Sequence, residues 1–330
     1  MSTSRLSYCL SDGGLSLPGE GRIAVIGPMV DDDLSALPRS RVDIIHTGAA
    51  ETAFWTAAGY PCQLLPQGPY AAAIVRLPRA RELAQGRIAM ACAAAPGGLI
   101  VVDGAKTDGV ESLLKAVRGR VALAGHASKA HGKCFWFAAT DAFADWALPG
   151  PTRNRDGFFT VPGVFSADGI DPASKALADS LPARLGSTVA DFGAGWGYLS
   201  QSILAKADPA ALHLVENDRT ALDCARLNVD DARAAFHWAD ATQWRPPAPL
   251  DCVVMNPPFH TGRKADPSLG RAFILSAARA LKPSGQLWLV ANRHLPYEPT
   301  LNEAFGTLSE AAGDNRFKIL HAQRPKRAHR

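Results

Sequence analysis

Residues 189–197, Val189-Ala190-Asp191-Phe192-Gly193-Ala194-Gly195-Trp196-Gly197, place a glycine at every second position directly after an apolar run. The run predicts the end of a buried strand, and apolar residues at helical spacing between Tyr198 and Ala205 predict a following helix. Such a turn needs positive φ angles, and the N–H groups that open the helix can hold an anion. The stretch therefore predicts an α/β fold with a ligand at this turn.

The spacing of the glycines distinguishes between cofactors. One residue separates the last two glycines, whereas the usual dinucleotide pattern has two. This disfavours a nicotinamide and favours S-adenosyl-L-methionine, whose carboxylate suits a helix N-terminus. Glu216, 25 residues after Asp191, ends the second predicted strand and is expected to bind the ribose, and Asp240 ends the next and is expected at the adenine amine. The expected cofactor residues are Asp191, Gly193, Gly195, Gly197, Glu216, Asp240, Ala241 and Asn256.

A second motif, Asn256-Pro257-Pro258-Phe259, follows an apolar strand predicted over residues 250–255. Ligands of open α/β sheets bind at the carboxyl ends of strands, so Asn256 is expected in the site. Proline cannot donate a hydrogen bond, so the Asn256 side-chain oxygen and the Pro257 carbonyl stay free to accept both N–H bonds of an exocyclic amine. Phe259 can stack on the planar ring that carries this amine. The motif predicts methyl transfer to a planar nitrogen, with Asn256, Pro257 and Phe259 as catalytic residues. Two acceptors favour the reacting form of the amine, so no strong general base is needed.

Length and composition exclude several classes of protein. The 330 residues, 47% hydrophobic, suffice for two ordinary domains and exclude disorder. A net charge of +4 is compatible with nucleic-acid binding. The N-terminus lacks a signal-peptide core and the apolar stretch 88–102 is broken by Pro96-Gly97-Gly98, so no membrane segment is expected. Six cysteines without a Cys-x-x-Cys pair indicate reduced thiols in a cytoplasm and no metal site.

The first half of the chain repeats the order of strand, helix and Pro-Gly-flanked strand found in the second half. In the first copy Arg76-Leu77-Pro78-Arg79 takes the place of residues 256–259, and no glycine run precedes it. We therefore expect a tandem duplication, with a degenerate methyltransferase-like domain over residues 1–145 and a catalytic domain over residues 146–330. The first domain would serve substrate docking or act as a scaffold.

Further motifs resemble those of the bacterial 16S rRNA guanine-N2 methyltransferase family. They are Pro162–Ser166 with Asp168–Asp171, Asn256–His260, Ala291–Tyr297 and Arg316–Ile319. The resemblance covers most of the chain and implies a class I S-adenosylmethionine-dependent enzyme with two tandem Rossmann-like domains, the first degenerate and the second catalytic. It implies methylation of a guanine N2 amine in 16S rRNA, with naked RNA or the small ribosomal subunit as partner; a monomer is favoured. It also implies substrate contacts by Phe165, Phe259, His260 and Arg263.

Other interpretations stay open. The two acceptor oxygens of Asn256 and Pro257 would equally fit an adenine N6 amine or a protein glutamine amide. A noncatalytic ribosome-assembly or RNA-binding protein would be expected if the cofactor site of the second domain were also degenerate. The intact Asp191, Glu216, Asp240 and Asn256 argue against it. Trp196 places an indole inside the cofactor turn, where it could reshape the pocket.

Overall fold

A computed structural model describes residues 4–258 and 267–326. The chain divides into residues 1–150, here unit 1, and residues 151–330, unit 2. The boundary expected between residues 145 and 146 lies before this division, inside a short 3₁₀ helix, Ala144–Trp146. Trp146 belongs to the core of unit 1 and packs on Phe143 with ring centroids 4.7 Å apart. This aromatic packing keeps the segment in unit 1.

Unit 1 is a seven-stranded sheet with helices on it. Its strands are β1 Ile23–Ile26, β2 Val42–Ile45, β3 Cys62–Gln63, β4 Ala72–Arg76, β5 Leu99–Ala105, β6 Gly125–Lys129 and β7 Gly132–Ala138. Its helices are α1 Arg5–Ser11, α2 Ala49–Ala57, α3 Arg81–Ala94 and α4 Val110–Arg118. Short 3₁₀ turns occupy Arg39–Arg41 and Lys106–Asp108.

Unit 2 opens with a small hairpin and then builds a second seven-stranded sheet. The hairpin strands are β8 Thr152–Arg153 and β9 Phe159–Thr160, and the sheet strands are β10 Thr188–Phe192, β11 Ala211–Glu216, β12 Ala234–Trp238, β13 Leu250–Met255, β14 Leu281–Asn292, β15 Phe305–Gly313 and β16 Phe317–Pro325. The helices are α5 Pro172–Ser180, α6 Tyr198–Ala207, α7 Arg219–Asn228, α8 Pro267–Ala280 and α9 Glu298–Ala304. Within the described ranges, no helix has the length and apolar character needed to cross a bilayer.

The two large sheets share one topology. Their strand orders are β3-β2-β1-β4-β5-β7-β6 and β12-β11-β10-β13-β14-β16-β15, so each strand of one has a counterpart in the other. In both, five strands run parallel and the last two pairings are antiparallel. The α/β class with two Rossmann-like sheets, predicted from sequence, is confirmed.

The strand registers also align the two halves residue by residue. Ile26 pairs with Val75 in unit 1, and Phe192 pairs with Met255 in unit 2. The next residue along the partner strand is Arg76 in unit 1 and Asn256 in unit 2. The structure therefore confirms the predicted correspondence between these positions.

Strand β10 lies in the middle of its sheet and is covered on both faces. Ala190 and Phe192 face a core formed with α8, whereas Val189 faces the core beneath α5, α6 and α7. Because side chains alternate along a strand, Asp191 shares the face of Val189 and points toward α6. Full burial of an aromatic side chain such as Phe192 stabilises the fold by about 2 kcal/mol. The glycine turn thus leaves the sheet from a buried inner strand.

Candidate functional site

The glycine turn joins β10 to α6 in a backbone conformation that favours glycine. Gly193, Gly195 and Gly197 all have positive φ angles, of 74°, 54° and 95°. A Cβ on Gly197 would lie 2.9 Å from the Val229 side chain, so this glycine permits close packing on the neighbouring helix. A Cβ on Gly195 would meet nothing within 4 Å, so that position borders open space. The turn therefore has one glycine for packing and one that leaves room for a ligand.

Glu216 ties this turn to the end of the second strand. Its Oε2 accepts a hydrogen bond from the Gly195 N–H at 2.8 Å, and its Oε1 accepts one from the Asp218 N–H at 2.8 Å. Burial raises the pKa of the Glu216 carboxyl, although these hydrogen bonds lower it in part. The Asn217 N–H also contributes a hydrogen bond to this carboxyl. A carboxylate has about four acceptor positions, so the side chain can still receive a hydroxyl group of a ligand.

Asp191 is fully buried at the carboxyl end of β10. Its Oδ2 accepts a 2.7 Å hydrogen bond from the Ser200 hydroxyl on α6, and its Oδ1 has no hydrogen-bond partner among the described residues. Burial raises the pKa of Asp191 to about 7, and the Glu216 carboxylate adds to this effect while the bonds from Ser200 oppose it. A carboxyl group that changes charge near neutral pH therefore lies behind the turn.

This titration predicts an unusual pH dependence of stability. The native state keeps the Asp191 proton up to about pH 7, whereas an unfolded chain releases it near pH ~3.9, so the native state loses stability as pH rises between these values. Asparagine has no such proton. The free energy of unfolding of Asp191→Asn, relative to that of the wild type, is therefore expected to rise by roughly 2 to 3 kcal/mol from about pH 5 to about pH 8. Urea unfolding at both pH values measures the difference.

Asp251→Asn is the matched control. Although burial pushes the pKa of Asp251 upward, hydrogen bonds from Lys282 and from the Thr188 and Ser187 N–H groups leave this pKa below its usual value. The Asp251 variant is expected to lose the same stability at about pH 5 and about pH 8, because the carboxyl is ionised at both. A stability difference for Asp191→Asn that does not change with pH would contradict the shifted titration.

Asp240 and Ala241 form a compact turn after β12. The Asp240 Oδ1 accepts from the Thr242 N–H and its Oδ2 from the Thr242 hydroxyl, both at 2.8 Å. The Ala241 carbonyl accepts a 2.7 Å hydrogen bond from Ser276 on α8. The turn is thereby fixed on the core, and the contact of Asp240 with an adenine amine stays a prediction.

Asn256 is held by two residues that sequence analysis did not assign to the site. Its Nδ2 donates to the Asp171 Oδ2 at 3.0 Å and to the Ser174 Oγ at 2.9 Å. Asp171 also begins α5, where its Oδ2 accepts from the Ser174 N–H at 2.8 Å. The Asp-Pro-x-Ser pattern is a recognisable helix start, but it does not indicate a contact with a residue 85 positions later.

The predicted site residues are brought together only in part. One cavity is lined by Phe165, Ser166, Asp171, Ser174, Gly193, Ala194, Gly195, Trp196, Tyr198, Leu199 and Asn256. Of the described residues predicted for the site, Phe165, Gly193, Gly195 and Asn256 line this cavity. Asp191, Gly197, Glu216, Asp240, Ala241 and Pro257 are not among its lining residues. Phe259, His260 and Arg263 lie outside the described residues.

The indole of Trp196 does not fill the turn. It is 4% exposed and packs on Phe158 with ring centroids 4.9 Å apart. Its Nε1 donates a 2.8 Å hydrogen bond to the Phe165 carbonyl. The side chain of Phe165 is 59% exposed, so it is not part of a core. Trp196 therefore fixes the loop that presents Phe165 at the cavity.

The same sheet edge of unit 1 is built differently. Arg76, at the position of Asn256, forms ion pairs with Asp32 at 3.2 Å and with Asp108 at 3.0 Å. Gly27 follows β1 as Gly193 follows β10, but the Arg87 guanidinium lies against it where a Cβ would point. Arginine side chains and their carboxylate partners thus occupy the edge that in unit 2 borders the cavity.

Known proteins resemble this chain over most of its length. Residues 156–321 match the family model described as Methyltransferase small domain. Ribosomal RNA small subunit methyltransferase C of Idiomarina loihiensis is 28% identical over 316 residues, which cover 92% of this chain and 93% of that protein. The protein of the same name from Shewanella sp. (strain MR-4) is 30% identical over 274 residues, 79% of each. The solved structure of the T. thermophilus 16S rRNA N2 G1207 methyltransferase (RsmC) in complex with AdoMet and guanosine covers 94% of this chain and 90% of its own, with a TM-score of 0.75 and 24% identity, and so shares the fold.

Proposed function

Because the chain belongs to the ribosomal RNA small subunit methyltransferase C family, we propose that unit 2 transfers a methyl group from S-adenosyl-L-methionine to the N2 amine of a guanine in 16S rRNA. The observation that carries the proposal is the Asn256 amide, which lines the cavity beside the glycine turn with both of its N–H groups bound elsewhere. Its oxygen is the atom left to accept from an amine. The naked RNA or the small ribosomal subunit is the proposed partner, in the cytoplasm.

The residues of unit 2 fit the cofactor. Gly195 leaves open space where a side chain would project, and Glu216 keeps capacity to accept a hydroxyl group at the end of β11. The buried Asp191 Oδ1 has no hydrogen-bond partner among the described residues, so this carboxyl keeps an unused polar atom behind the turn. We assign Asp191, Gly193, Gly195, Gly197, Glu216, Asp240 and Ala241 to cofactor binding, and Asn256 to a lesser cofactor contact beside its main role at the reacting amine.

The chemistry needs alignment more than proton transfer. The bound cofactor supplies a methyl group on a cationic sulfur, so the amine nitrogen gives its lone pair to the methyl carbon while the carbon–sulfur pair returns to sulfur. As the nitrogen becomes positive its N–H bonds become stronger donors, and Asn256 Oδ1 together with the Pro257 carbonyl would accept them. The surplus proton then leaves to water. Phe259 and Phe165 would contact the base, with His260 and Arg263 as further substrate contacts.

Unit 1 is proposed as a scaffold or substrate-docking unit without its own reaction. Its Arg76 is only partly exposed and is paired with Asp32 and Asp108, so this arginine stabilises the sheet edge. The Arg87 side chain covers the position that corresponds to the glycine turn. Both features leave the cofactor chemistry to unit 2.

Methyl transfer to unmodified 30S subunits and to naked 16S RNA tests the proposal directly. Labelled S-adenosyl-L-methionine and nucleoside analysis of the product are expected to give N2-methylguanosine, and the two substrates show which form is preferred. The Asn256→Ala protein is the matched control for contaminating activity. N6-methyladenosine, methylglutamine on a subunit protein, or cofactor binding without transfer would each contradict the proposed reaction.

A further inference from the structure

The contacts of the Asn256 side chain settle which way its amide faces. A carboxylate accepts hydrogen bonds and cannot donate them, so the amide group that faces Asp171 is the NH₂ group. The second N–H is bound by the Ser174 hydroxyl, which is itself buried at the first turn of α5. Both donors of Asn256 are therefore consumed on one side, and rotation of the amide would place its oxygen against the Asp171 carboxylate.

From this geometry we infer that Asp171 and Ser174 are positioning residues for the reaction, which fix the Asn256 amide with its oxygen toward the reacting amine. The inference rests on the proposed function of unit 2. An acceptor held in place before the reaction needs no reorganisation when positive charge develops on the nitrogen. The rigid support comes from α5, because the same Asp171 oxygen also accepts the Ser174 N–H.

Asp171 also supplies charge to this arrangement. A hydrogen bond to a carboxylate polarises the amide that donates it, which makes the amide oxygen a stronger acceptor. The negative charge of Asp171 thus increases the electron density on the Asn256 Oδ1, the atom inferred to accept from the reacting amine. The two residues act through Asn256 and need no contact with the substrate.

Three substitutions separate orientation, charge and helix capping. Asp171→Ser keeps a capping hydroxyl for α5 but is too short to hold Asn256, and it is expected to lower kcat by roughly 10- to 100-fold. Asp171→Asn keeps an acceptor oxygen without the charge and is expected to fall between this variant and the wild type. Asp179→Asn, on the exposed face of the same helix where it pairs with Lys175, is the matched control.

The double-mutant cycle with Asn256 tests whether Asp171 acts through that residue. In the Asn256→Ala background, Asp171→Ser is expected to lower kcat by no more than about 2-fold further, because the amide it orients is gone. The dissociation constant of S-adenosyl-L-methionine and the melting temperature should stay near those of the parent. Independent, multiplicative losses in the cycle would overturn the inference.

A second readout is independent of activity. The side-chain NH₂ signals of Asn256, assigned by their loss in Asn256→Ala, are expected to exchange slowly with water in the wild type and faster in Asp171→Ser. Unchanged exchange would overturn the orienting role even in an active enzyme. A protein that makes no N2-methylguanosine yet shows the expected change in exchange would contradict the proposed reaction and leave the positioning of Asn256 supported.

Discussion

Replacement of Asn256 by alanine is expected to lower turnover on RNA by at least ~10²-fold while the affinity for S-adenosyl-L-methionine stays nearly intact. The substitution removes the acceptor of the reacting amine. It leaves the glycine turn, whose contacts run through Glu216, untouched. Single-turnover methylation gives the rate, and calorimetric titration of the cofactor gives the affinity.

Asn302→Ala provides the control for this substitution. Asn302 is an exposed residue of α9, so its loss removes an asparagine side chain from the same unit without changing the cavity. Its turnover is expected to match the wild type. An equal loss of turnover and of cofactor affinity in Asn256→Ala would show that Asn256 serves mainly to hold the cofactor, and would contradict its assignment to the amine.

The fold was accessible from sequence because its signals are local. A buried parallel strand is a short apolar run, and strand β13 was predicted with the bounds that the structure has. The positive φ angles of the turn were predicted because glycine adopts them at little cost. The correspondence of Arg76 with Asn256 followed from the order of elements, and the strand registers place both residues at equivalent points.

Contacts between distant side chains were not accessible in this way. Periodicity assigns Asn256 to the carboxyl edge of a sheet, but it does not show that the start of α5 reaches the same edge. The contact with Asp171 needs the path of the chain between two residues that are 85 positions apart. The direction of the Trp196 side chain was not accessible for a related reason, because a residue inside a tight turn can point either into the ligand space or back toward the core. The position of Phe158 shows that the Trp196 indole buries its apolar surface against the core.

Substitution of Gly195 by asparagine is expected to weaken S-adenosyl-L-methionine binding roughly 10²-fold while the protein stays folded. The Gly195 Cβ position meets no protein atom within 4 Å, so the new side chain would project into the cavity without a clash with the protein. Asparagine tolerates the left-handed conformation better than other non-glycine residues, so the strain at φ 54° is small. Calorimetry and thermal denaturation measure the two effects separately.

Gly157→Asn separates backbone strain from obstruction of the cavity. Gly157 also has a positive φ, of 86°, and also has no atom within 4 Å of its Cβ position, but it lies in the β8–β9 hairpin. Both variants should therefore lose similar, small amounts of stability, whereas only the one at Gly195 should lose cofactor affinity. Equal affinities in the two variants would place the cofactor elsewhere than over the glycine turn. The cavity offers room for a side chain at Gly195, so a large loss of stability in that variant alone could not come from a clash. It would mean that the turn needs glycine for its own conformation.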